Sequence, residues 1–119
     1  MRAKEFQSIL DRDLGCLHCG STDQTLIPQH RINRGMGGSK NRGSKSNLIV
    51  LCSLINGLIE SDADWAQVAR ECGWKLKPWD NPLDVPVWDE TAQVWWMLDD
   101  QGNRRLDDVD RPAPRFGRA

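Results

Sequence analysis

Phe6, Ile9 and Leu10 recur at helical spacing through "AKEFQSILDRD" and predict a short N-terminal helix. The pattern breaks at "CLHCG", where Cys16, Cys19 and Gly20 make the tight turn of a metal knuckle. "QTLIPQH" reads as a short strand that Pro28 confines to an edge or bends. "NRGMGGSKNRGSKSN" holds four glycines and no apolar period, so it is predicted as loop. "LIVLC" is a brief buried strand. "SLINGLIE" stays undecided, because Gly57 weakens an otherwise helical pattern.

The next segment, "SDADWAQVARECG", predicts a helix capped by Ser61, with Asp64 at the third helical position. Trp65, Val68 and Ala69 form its apolar face and Gly73 stops it. Further on, "QVWWMLDDQGNRRL" predicts a hairpin turning through Asp-Asp-Gln-Gly-Asn. Residues 107–119, with two prolines and three arginines, are expected to form a loose tail.

A chain of 119 residues is expected to form one domain with at most a small appendage, a size at which a metal often supplements the core. All six tryptophans lie between residues 65 and 96, which suggests a C-terminal sub-core. The expected division is 1–77 for the main unit and 78–119 for a tryptophan-rich β appendage with its tail. Trp65, Trp88, Trp95 and Trp96 sit amid acidic residues, so they are read as core or a protein interface rather than as base-stacking platforms.

Charge sharpens the picture. Net charge is only −1, yet no acid occurs between Asp23 and Glu60, where Arg31, Arg34, Lys40, Arg42 and Lys45 lie. Residues 60–110 carry thirteen acids against five bases. The basic stretch is glycine-rich, so its backbone N–H groups can approach phosphate oxygens while arginines give bidentate contacts. Nothing in it reads base edges, so the expected partner is the DNA backbone, bound with little sequence preference and steep salt dependence.

Residues 1–13 are charged, and no apolar run approaches the roughly 18 residues of a membrane span. A cytoplasmic location with no membrane partner is expected. In that compartment the four cysteines read as metal ligands or buried thiols rather than disulfides. His30, flanked by Arg31 and followed by the basic loop, is the candidate general base.

The order Cys16-x-x-Cys19, His30-Arg31, "RGMGGS", "SNLIVLC" and "LIESD" resembles the HNH endonuclease family, with "ECGWKL" extending the match to about residues 10–77. More narrowly it is similar to the small HNH proteins of bacteriophages that infect actinobacteria. The resemblance implies an α+β fold: a ββα-metal core with an N-terminal helix, plus a C-terminal helix and β-hairpin appendage. It implies that His30 is the general base and that Asn47 pins the loop or ligates the metal. Asn56 takes the third signature position, as in the H-N-N branch. With Gln29, Asn47 and Asn56 would organise a catalytic Mg²⁺ or Mn²⁺, and Cys16, Cys19 and Cys52 would hold a structural Zn²⁺.

The chain departs from the family pattern in two places. Gln29 stands where a histidine or aspartate is usual, and Ile55 stands where a second CxxC would place the fourth zinc ligand, leaving His18 or Cys72 as substitutes. The expected function is metal-dependent DNA cleavage, leaving a 5′-phosphate and a 3′-hydroxyl. Its setting would be a bacterial host cell, beside a phage terminase or a host DNA-processing protein. The alternative is an HNH-fold module that has lost catalysis and binds DNA or protein as an inhibitor or adaptor.

Overall fold

A computed structural model describes residues 3–23, 25–33 and 44–114, and over them the chain is an α+β protein of three helices and two small antiparallel sheets. Helix α1 (Ala3–Asp13) precedes strand β1 (Leu26–His30). A single 3-10 turn (Lys45–Asn47) leads into β2 (Leu48–Cys52), and α2 (Ser53–Ser61) and α3 (Ala63–Glu71) follow. The second sheet is a meander of β3 (Val87–Asp89), β4 (Val94–Leu98) and β5 (Arg104–Leu106). Among the described residues no helix is long and apolar enough to cross a membrane.

Strands β1 and β2 pair with Leu26 opposite Cys52 and His30 opposite Leu48. Pro28 lies opposite Val50, whose N–H and C=O both turn away from β1. The Val50 N–H donates to the Asp13 carboxylate at 2.9 Å, and its carbonyl accepts from Leu17 N–H at 3.1 Å. The missing proline N–H therefore leaves no ladder bond unmade. Arg12 completes that outer edge, donating to Leu48 O (2.5 Å) and Lys45 O (2.8 Å) while pairing with Asp13 at 2.6 Å.

This edging explains why "LIVLC" is buried along its whole length. Leu48 and Val50 pack under α1 with Ile9, while Ile49 and Leu51 join the main core on the other face. Helix α2 springs directly from β2 and packs back on both strands, so "SLINGLIE" is helical throughout. Gly57 lies on its exposed side, where a missing side chain costs no packing.

The predicted cap of α3 moves by one residue. Ser61 is the last residue of α2, its hydroxyl donating to Gly57 O at 2.7 Å. Asp62 caps α3 instead, accepting from the N–H groups of Asp64 (2.8 Å) and Trp65 (3.1 Å). A carboxylate holds two orphan N–H groups and also complements the helix dipole.

The main core runs across the expected 77/78 division. Cys16, Leu17, Ile49, Leu51, Ile55, Ile59, Ala69 and Trp74 share one cluster with Val87, Trp88 and Leu98. The Trp74 indole donates to Trp88 O at 2.8 Å, and Trp88 N–H donates to Cys72 O at 2.8 Å. The predicted hairpin is β4–β5, with Arg104 stacked 3.9 Å over the Trp96 ring. Residues 107–114 are not loose: Asp107 N–H donates to Trp95 O, and the Trp95 indole reaches Pro112 O at 3.2 Å. The rest of the expected tail, 115–119, lies outside the described residues.

Candidate functional site

Where β1 ends, the sheet and α2 leave a pocket of about 160 Å³ lined by Gln29, His30, Asn33, Asn56, Glu60 and Lys75. Antiparallel pairing fixes His30 at its mouth, half-buried, beside the buried Gln29. Asn56 and Glu60 are one helical turn apart on α2 and so share a face. The Glu60 carboxylate lies 4.0 Å from Lys75 Nζ, an exposed and therefore weak pairing.

Gln29 is hydrogen-bonded through both ends of its amide. Its Nε2 donates to His30 O at 3.0 Å and its Oε1 accepts from Asn56 Nδ2. The Asn56 amide and the Glu60 carboxylate line the same pocket as the His30 imidazole and are the oxygen donors it offers a divalent cation. Through the bond between them Gln29 orients Asn56.

Asn47 does not reach the pocket. It is fully buried, accepting from Ile32 N–H at 2.8 Å through Oδ1 and donating to Ile32 O at 3.2 Å through Nδ2. These bonds tie Ile32 to the start of β2.

Arg31 is a correction. It was expected on the DNA backbone, but it is 0% exposed and spans four backbone carbonyls. Nε donates to Gly73 O (2.8 Å), Nη1 to Ser46 O (2.9 Å) and Pro82 O (3.0 Å), and Nη2 to Val85 O (2.7 Å). Burial pushes its pKa down to about 9, with Arg12 adding to the shift and Asp13 and Asp80 opposing it. The guanidinium thus keeps its donors at neutral pH and ties β1, the 3-10 turn and the 73–85 segment together. Among the other expected DNA contacts, Arg34, Lys40 and Arg42 lie outside the described residues. Lys45 is half-buried at the start of the 3-10 turn and does not line the pocket.

At the opposite end of the hairpin, Cys16, Cys19 and Cys52 bring their sulfurs within 4.8 Å of one another and could hold a metal ion. Cys19 and Cys52 are 4.0 Å apart as free thiols, near the roughly 3.8 Å that a tetrahedral ion with about 2.3 Å bonds to sulfur requires. Burial pushes the Cys16 thiol up to about 11, against backbone N–H groups of Cys19, Cys52 and His18 that bond to its sulfur. Those N–H donors favour the thiolate, the form a metal needs. The donor set fits three corners of a zinc site.

Neither expected substitute fills the fourth. The His18 ring sits edge-on to Trp65 (5.4 Å) and Trp74 (6.2 Å), and burial lowers its pKa despite the nearby Glu90 charge. Cys72 is fully buried at the end of α3, its thiol pushed up by burial, and its sulfur is not in the group.

Three pocket residues, Asn33, Glu60 and Lys75, escaped the sequence reading. Glu60 follows Asn56 by four positions, a helical spacing that would have placed it on the same face once α2 was read as helix. Lys75 carried no local signal, since only the turn after α3 brings it back to α2. Comparison of the chain with family models, with curated proteins and with solved structures returns no match.

Proposed function

We propose that this chain is a metal-dependent phosphodiesterase acting on DNA, with His30 as general base, on a ββα-metal core formed by β1, β2 and α2. The observation that carries this reading is the polar pocket at the end of β1, which gathers an imidazole, an amide and a carboxylate beside a lysine. Asn56 and Glu60 would hold the Mg²⁺ or Mn²⁺. The chemistry such an ion supplies is neutralisation of charge at the scissile phosphate and the departing 3′-oxygen.

The rest belongs to the chain's own groups. His30 takes the proton from the attacking water, whose oxygen bonds to phosphorus as the bond to the 3′-oxygen breaks. The leaving oxygen takes a proton from solvent, so the products carry a 5′-phosphate and a 3′-hydroxyl. Lys75 Nζ would meet a phosphate oxygen, and Gln29 holds the Asn56 amide. The three-thiol group is the proposed structural zinc site.

The test is nicking of supercoiled plasmid with Mg²⁺, Mn²⁺ or EDTA. Cleavage requiring metal is expected, falling by about 10²–10⁴ in His30→Ala and reduced in Glu60→Gln. Metal-independent cleavage, or full activity in His30→Ala, would refute the assignment. One observation favours a second reading: Gln29 and Asn56 bond directly to each other, as they could in a site that no longer holds a metal. A binding module of that kind would shift DNA in a salt-sensitive way without cutting it under any metal.

A further inference from the structure

Every histidine, cysteine, aspartate and glutamate of this chain lies within the described residues. Cys16, Cys19 and Cys52 are therefore the whole set of such donors that the fold brings to the metal group. Position 55, three residues after Cys52 on α2, carries an isoleucine that is 4% exposed and packed in the core. The His18 ring packs edge-on against two tryptophans, and neither its nitrogens nor the Cys72 sulfur belongs to the group.

Structural zinc sites are almost always closed by four protein ligands, whereas sites with three keep a position for an external group. Here two thiols, Cys16 and Cys52, are buried, while Cys19 is exposed. An ion held by all three is thus within reach of solvent on the Cys19 side. Three thiolates make the centre soft, so a soft single-atom donor competes best for the remaining corner.

Resting on the metal reading of these thiols, we propose that the ion takes its fourth ligand from solution, with small thiols as the preferred class. The site is then exchangeable rather than closed. Ile55 contributes to this, because a core-packed apolar residue three positions after Cys52 on α2 offers the ion no ligand.

Cobalt(II) provides the test, since its charge-transfer bands report thiolate ligation and its visible ligand-field bands report the fourth ligand. The reduced full-length chain is loaded with one equivalent of Co²⁺ and titrated with 2-mercaptoethanol. The expected result is a thiolate charge-transfer band together with ligand-field bands that shift saturably as the thiol is added. Ile55→Cys is expected to abolish the shift while keeping the charge-transfer band, and Cys72→Ala to respond as the wild type does. The wild-type titration stands alone if Ile55→Cys fails to fold.

Ligand-field bands that ignore added thiol in the wild type would overturn the proposal. So would a response that arises only in Cys72→Ala, which would make Cys72 the fourth ligand. One ion per two chains by sedimentation would overturn it in favour of a second copy. Absence of any thiolate charge-transfer band would instead sink the metal reading on which the proposal rests.

Discussion

His30 and Arg31 are adjacent in sequence and opposite in fate. The imidazole lines the pocket, while the guanidinium turns inward to four carbonyls from three segments. Charge patterning assigned Arg31 to DNA because a surface argument cannot see a buried hydrogen-bonding target. A lysine has a point charge and three donors, so it cannot copy the planar fork. Arg31→Lys is expected to lower stability by about 3–5 kcal/mol, each carbonyl left bare costing about 1–3. Urea unfolding checks this, and an unchanged midpoint would refute the clamp. Asn47 separates pinning from ligation in the same way. Asn47→Asp keeps the acceptor for Ile32 N–H but sets a carboxylate against Ile32 O. It is expected to be less stable in urea with no gain in metal affinity, where a metal ligand would bind its ion more tightly as a carboxylate.

Helices α2 and α3 show how local signals can be legible and still misplaced. The apolar period of Trp65, Val68 and Ala69 located α3, and Gly73 located its end. Its start was misread because Ser61 and Asp62 are both good caps, and only the run of α2 up to Ser61 decides between them. Asp62→Ala is expected to cost about 1 kcal/mol, and Ser61→Ala less than about 0.5. Thermal unfolding of the two variants gives the comparison; a larger loss for Ser61→Ala would reverse the assignment. Gly73 was read only as a stop, yet it sits at φ +72°, where a Cβ would come within 2.0 Å of Pro86 O. Gly73→Ala is therefore expected to cost on the order of 3 kcal/mol or more, well beyond an ordinary helix stop.

For the molecule as a whole, the α+β class and most elements could be read from hydrophobic spacing, but the division at residue 77 could not be tested that way. Strand periodicity marks which side chains are buried without saying against what. The tryptophan sub-core is continuous with the main one: Trp74, Val87 and Trp88 close over Cys72 and Ile59 in the same cluster. A fragment ending at residue 77 strips Val87, Trp88 and Leu98 from that core and removes two acceptors of Arg31. It is expected to lack cooperative unfolding by circular dichroism; a sharp transition would show that the first part folds alone.

The β1–β2 hairpin carries a consequence for length variation in related chains. It has the thiol group at one end, at Cys52 opposite Leu26, and the imidazole at the other, at His30 opposite Leu48, about 13 Å away along the strand. A one-residue insertion inside either strand would turn every following side chain to the wrong face. It would also break the edge that Asp13 and Arg12 make with β2. Indels that preserve both ends therefore have to fall outside the two strands.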